Sequence, residues 1–190
     1  IASATVTKIL PAHITDHSQV PLDTSNKDGA AQLRTLGVKG LSMPDSIGAF
    51  KAGAKTYFAT ANEGDAREWG VAEDEGGTGV YTDETELKDL IKEGKVCEGA
   101  LGDVVLDEVA NKKVAGNLKV TNASGWNEEK GCFEEVYSYG TRSFSIYDEA
   151  GNVVFDSSSQ FEEISAKLHA EAVLNHNADN ESVEFDDRSD

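Results

Sequence analysis

Cysteine is scarce in this chain of 190 residues, and a long apolar run is missing altogether. Cys97 and Cys132 are too few and too far apart for a zinc module, and neither has a histidine at ligand spacing. No stretch approaches the roughly 20 apolar residues that a membrane-spanning helix needs, and no charged-then-apolar leader opens the chain. Positive charge is also in short supply: 17 Lys and Arg stand against 35 Asp and Glu, a formal net charge of -18. Such a surface repels phosphate backbones and anionic lipid headgroups, which argues against nucleic acid as a partner and against insertion into a membrane by this segment. Divalent cations, basic proteins and mineral surfaces suit it better; charge that only maintains solubility is the plainer alternative. The chain opens on Ile1 and stops within the charged run ending at Asp190, so it reads as an internal piece of a longer one.

Catalytic signatures are missing too. No Gly-x-Ser-x-Gly elbow occurs, and the serines near Ser157 read as turn or cap residues. His13, His17, His169 and His176 lie in loop or helix settings without ligand spacing. Acidic runs such as Glu73-Asp74-Glu75 read as solvated faces able to collect calcium weakly.

What is present is mostly β-pattern. Ala2 to Ile9 alternates and ends at Pro11, as a strand followed by a break. Asp23-Thr24-Ser25-Asn26-Lys27-Asp28-Gly29 sets short oxygen-bearing side chains beside a glycine, a composition for a tight turn or for a cation loop with Asp23 and Asp28 as ligands. The run from Ile47 to Ala61, turning near Gly53, predicts a hairpin that delivers a polar cluster, Asn62-Glu63-Gly64-Asp65-Ala66-Arg67-Glu68, at its end. Residues 72–115 read as an insertion holding one short helix, with Leu87, Leu90 and Ile91 on one face, Thr82 or Asp83 as N-cap and Gly94 as C-cap. Strands resume at Gly116–Thr121, and Phe133–Tyr139, Arg142–Asp148 and Val153–Asp156 alternate with the two-residue period of a half-buried antiparallel sheet. A second short helix, beginning at Ser157–Ser159, carries Phe161, Ile164 and Leu168. Many short strands with frequent turns point to an all-β fold. Cys97 and Cys132 are either buried thiols or a pair; a bridge closing a ring of about 36 residues stabilises by roughly 3–4 kcal/mol in the chain-entropy view. Asn122-Ala-Ser124 and Asn180-Glu-Ser182 are glycosylation sequons and agree with an oxidising compartment.

At Asp23–Gly29, Met43-Pro44-Asp45, Ala61–Glu68, Arg142-Ser143-Phe144-Ser145-Ile146-Tyr147-Asp148 and Phe185-Asp186-Asp187-Arg188-Ser189-Asp190, the sequence resembles the choice-of-anchor I family. That family includes bacterial surface proteins and the mesenchyme-specific cell-surface glycoproteins of skeleton-forming cells. The resemblance implies a β-propeller of lactonase-like or cytochrome-d1-like blades, of which residues 1–190 hold three or four as part of a single domain. It also implies an extracellular or cell-surface location and, for skeletal members, association with biomineral matrix. Asn26 stands where members often carry Asp, which weakens a calcium loop there.

Among the matching motifs, Glu63, Asp65 and Asp187 are carboxylate candidates for Ca2+, and Arg67, Arg142 and Arg188 are candidates for an oxyanion or for a lattice that fixes one blade against the next. The functional expectation is an acidic, calcium-associated binding or matrix protein. The alternative is a calcium-dependent phosphoesterase working at the propeller channel, which needs an activated water or nucleophile beside a metal.

Overall fold

A computed structural model describes residues 6, 8–11, 13–168, 177–178 and 183–184. In chain order the strands are β1 (Ile14–Asp16), β2 (Leu22–Asp23), β3 (Leu33–Arg34), β4 (Val38–Leu41), β5 (Pro44–Ala52), β6 (Lys55–Asn62), β7 (Glu68–Val71), β8 (Gly79–Thr82), β9 (Glu84–Glu86), β10 (Lys119–Thr121), β11 (Trp126–Asn127), β12 (Cys132–Phe133), β13 (Val136–Tyr139), β14 (Ser143–Asp148), β15 (Val153–Asp156), β16 (Asn177–Ala178) and β17 (Val183–Glu184). The α-helices are α1 (Leu87–Lys92), α2 (Leu106–Val109) and α3 (Gln160–Leu168). The all-β class holds. Of the expected first strand, Val6, Lys8 and Ile9 carry no strand, and its other residues lie outside the described ones.

Two sheets dominate. The first runs β1-β4-β13-β10-β9 and the second β15-β14-β6-β5. In the first sheet β4 and β13 lie parallel, Val38 opposite Val136 and Leu41 opposite Tyr139. Each then passes into the second sheet, where β6 separates them and Asn62 pairs with both Pro44 and Ser143. The second sheet is thus an antiparallel meander of two hairpins. Gly53, at φ 64°, makes the two-residue turn between β5 and β6. The Asp148 carboxylate accepts the Ala150 and Asn152 N–H groups at 2.9 and 2.8 Å to close the other turn. Neither sheet closes into a barrel, and no ring of blades forms among the described residues.

The apolar core lies on the first sheet. Val38, Val120 and Val136 pack with Leu87, Leu90, Ile91, Val96, Leu101, Val109, Leu118 and Phe133. Much of this cluster comes from residues 72–115, so that segment shares a core with the sheet. The Cys97–Cys132 disulfide, with Cα atoms 5.2 Å apart, ties the middle of that segment to β12.

The helix expected from Thr82 or Asp83 starts later, at Leu87, with Glu86 at the N-cap position and no side-chain cap. Tertiary pairing overrides the capping signal: Glu84, Thr85 and Glu86 are drawn into a strand against Thr121, Val120 and Lys119. The helix ends as expected, with Gly94 at φ 66° one residue past the cap and its N–H donating to the Ile91 carbonyl at 3.0 Å.

Candidate functional site

The chain is most polar inside where β4 and β13 diverge around the end of β6. Thr60 and Asn62 on β6 and Ser143 and Ser145 on β14 are all buried. Thr60 Oγ1 donates to Asn62 Oδ1 at 2.8 Å, and Asn62 Nδ2 donates to Ser143 Oγ and Ser145 Oγ at 2.9 and 2.7 Å. Both serine hydroxyls donate to Asp156 Oδ2. Every member of this network has a partner, which is the condition under which a buried polar cluster rigidifies a fold.

The chain leaving β6 crosses this corner. Gly64 lies so close to the β13 end that a Cβ on it would come within 1.8 Å of the Gly140 nitrogen. A few residues on, Arg67 donates twice to Asp83, through its backbone N–H to Oδ1 at 2.8 Å and through Nε to Oδ2 at 2.7 Å. Tyr139 Oη donates to the Asp83 carbonyl at 2.7 Å and to Oδ1 at 3.1 Å. Burial alone would raise the Asp83 carboxyl, but the Arg67 and Tyr139 hydrogen bonds and the guanidinium charge outweigh it and hold the group below its ordinary range.

A second hub lies on the other side of the corner. Arg142 adopts φ 47°, left-handed backbone that is uncommon outside glycine, at the sharp turn into β14. Its Nη1 donates to the Asp23 carbonyl at 2.8 Å and pairs with Glu162 of α3. The Asp23 N–H donates to both Glu162 oxygens, at 3.2 and 3.3 Å. Asp23 itself is wholly buried, its carboxylate accepting the Ser25 and Gln32 N–H groups at 3.2 and 3.3 Å. Burial, with the nearby Asp28 and Glu162 charges adding to it, pushes this carboxyl up to about 6. Asp28 pairs with Arg34 at 2.7 Å.

The Asp23 loop therefore closes as a set of side-chain-capped turns, with Asp23 and Asp28 directed at backbone N–H groups and a guanidinium. Asn26, 6% exposed, presents an enclosed Nδ2 without a hydrogen-bond partner among the described residues. His17 is buried beside the hub, its Nδ1 donating to the Val20 carbonyl at 2.9 Å in the tautomer that satisfies both groups. Burial holds the imidazole below its ordinary value. The absence of a side chain on Gly40 makes room, since a Cβ there would meet His17 Nε2 at 2.6 Å. Between His17, Leu22, Tyr139, Thr141, Arg142 and Glu162 lies a cavity of about 10 Å³, space for one water.

The structure thus brings Arg67 and Arg142 to one corner, on separate carboxylates. Glu63 and Asp65 stay on the surface; Asp65 Oδ1 only caps its own turn, accepting the Ala66 N–H at 2.8 Å. Asp187, Arg188 and Asn180 lie outside the described residues, as do His169 and His176. Among the described residues no group of three or more His, Cys, Asp or Glu is placed to hold a metal ion. Asn122 is exposed on the turn after β10.

Sequence reasoning read Asp83 only as a helix cap and missed Glu162, Asp156 and the buried role of His17. The signal for Asp156 and its serines was present: Thr60/Asn62 and Ser143/Ser145 are polar pairs two apart on neighbouring strands, which places them on one face.

Searches of the curated proteins and of the solved structures each found no match. The family model described as choice-of-anchor I domain matches residues 1–190. With its Asn62–Glu68 and Arg142–Asp148 motifs meeting at one sheet corner, the chain belongs to the choice-of-anchor I domain family.

Proposed function

We propose that the chain is an acidic binding module of a secreted or cell-surface protein, associated with calcium through exterior carboxylates and with extracellular matrix or biomineral through that layer. The observation that carries this reading is how charge is divided. Arg67 and Arg142 are each held by a buried carboxylate, Asp83 and Glu162, as a lattice requires. Glu63, Asp65 and the Glu73-Asp74-Glu75 run stay exposed on a chain of charge -18. Cations then meet a surface of carboxylates, with Glu63 and Asp65 as the motif members in reach and Asp187 as a further candidate. Asp23 and Asp28 are poorer ligands because their oxygens already accept N–H donors.

In the same proposal the β5-β6-β14-β15 meander is one blade of a β-propeller, and Asn122 carries an N-glycan. Its exposed turn supports the latter, because an oligosaccharyl group needs an accessible asparagine. A mass loss on enzymatic deglycosylation of secreted protein, abolished by Asn122→Gln with Asn180 kept, is the expected sign; an unchanged mass rejects it.

Calcium titration by calorimetry tests the main reading. Uptake that weakens with added salt and falls modestly in Glu63→Gln and Asp65→Asn variants is expected. No heat at low ionic strength would remove calcium from the proposal. A single tight site abolished by one substitution would replace the diffuse layer with a specific metal centre.

A further inference from the structure

The β7–β8 hairpin forms a two-stranded sheet of its own, joined to no other strand among the described residues. Isolated two-stranded hairpins are marginal in water and ordinarily gain stability by packing one face on something else. Here the available face is apolar and open. Trp69 and Tyr81 sit directly opposite each other in the register. Their rings stack at 4.1 Å between centroids, yet Trp69 is 56% and Tyr81 43% exposed. Val71, two residues from Trp69, extends the same face and is also exposed.

Charge on the arm is of one sign. Between Glu68 and Thr82 there are four carboxylates, Glu68 and the Glu73-Asp74-Glu75 tip, and no Lys, Arg or His. An exposed aromatic pair on an arm whose charged side chains from Glu68 to Thr82 are all carboxylates attracts a group that is cationic and flat or weakly hydrated, since ring quadrupole and arm charge favour the same sign. Anionic glycans, phosphates and acidic peptides are repelled by the same set.

We propose that this hairpin is a docking arm for an arginine-rich segment of a partner protein, whose guanidinium groups lie on the Trp69/Tyr81 face while the Glu73–Glu75 tip neutralises their charge. This stands apart from the calcium reading, because it depends on two rings that no metal would use.

The probe is a fluorescein-labelled hexa-arginine peptide, followed by anisotropy with the 190-residue chain at physiological ionic strength. Saturable binding is expected, weakened roughly five- to tenfold by Tyr81→Ala or Trp69→Ala, which leave net charge unchanged. In a Trp126→Phe background Trp69 is the sole tryptophan, and its emission should shift on peptide addition. Glu73→Gln/Asp74→Asn/Glu75→Gln, remote from the ring pair, should weaken binding as well and covers the case in which an aromatic variant unfolds the hairpin. Equal affinity in wild type and both aromatic variants, with no change in Trp69 emission, would reduce the effect to general attraction by a polyanion and overturn the arm. Trp69 emission that depends on protein concentration without peptide would overturn it too, by assigning the face to a second copy of the chain. No calcium heat at low ionic strength with ring-dependent peptide binding intact would be failure of the functional reading alone, and calcium uptake with peptide binding indifferent to Trp69 and Tyr81 would be failure of this one alone.

Discussion

At the scale of single residues, Arg67 and Arg142 differ in what their removal leaves behind. Arg67→Ala leaves Asp83 with the Arg67 N–H and the Tyr139 hydroxyl still donating to it. Arg142→Ala leaves the Glu162 carboxylate buried with the Asp23 N–H as its donor on that side, and an unpaired buried charge costs about 3–5 kcal/mol. Urea unfolding should therefore show Arg142→Ala far below Arg67→Ala, with Arg142→Ala/Glu162→Gln recovering much of the loss because a neutral amide still accepts the Asp23 N–H. Equal losses for the two arginines, or no recovery, would show that the Glu162 pair is not what fixes α3. The same hub sets a pH dependence with opposed parts. Asp23, raised to about 6, binds its proton more tightly in the folded chain, so its contribution is full below its ordinary 3.8 and is lost as pH rises through about 6. His17, lowered from 6.5, contributes stability above that value and loses it as pH falls. His17→Asn keeps a donor for the Val20 carbonyl and removes the acid-side loss. Its urea midpoint should drop less than wild type between about pH 7.5 and about pH 5.5, and an identical drop would mean that His17 does not titrate differently in the fold. Neither hub was legible beforehand: Asp23 and Arg142 stood out as motif members, but Glu162 and Asp83 belong to segments whose local pattern gives no reason to bury a carboxylate.

At the scale of elements, hairpins and strand periods were readable and burial was not. Gly53 marks the β5–β6 turn in the sequence itself, and Leu87, Leu90 and Ile91 announced α1. Alternation in β6 and β14 was right in period, yet the face it buries near the corner is the polar one, Thr60, Asn62, Ser143 and Ser145, while Ile47 and Phe155 of the same sheet are exposed. In α3 the inversion recurs: Phe161 is 51% exposed and Glu162 7%. Which face of an element is covered depends on partners far away in sequence, and no periodicity encodes them. The corner's geometry, by contrast, is written in one glycine. Gly64→Ala would force Cβ into the Gly140 backbone, which cannot yield as a side-chain tip would. Its expected cost is about 3 kcal/mol or more, with the β7–β8 arm and β13 moving apart; Gly29→Ala, strained only at φ 82° with open space around it, should cost about 1 kcal/mol. Amide exchange of β13 tests this, and unchanged protection at Tyr139 in Gly64→Ala would remove the close approach from the account of the motif.

At the scale of the whole molecule the controlling quantity is charge. With 35 carboxylates against 17 Lys and Arg, compaction brings like charges together, so the folded state is opposed by self-repulsion that salt screens within a Debye length. Thermal midpoints should rise as NaCl goes from about 10 mM to about 150 mM, where that length falls to roughly 8 Å. Calcium at matched ionic strength should raise the midpoint further, because an ion held by surface carboxylates stabilises the folded state by mass action in addition to screening. The comparison with magnesium sharpens this: calcium accepts irregular sets of surface oxygens, whereas magnesium keeps its waters and demands octahedral geometry. Calcium exceeding magnesium, and both exceeding sodium at equal ionic strength, fits a carboxylate layer that takes up calcium. Coincident curves for the three salts would leave screening alone, and the acidity would then act on solubility and on the cationic partners it attracts without holding a metal.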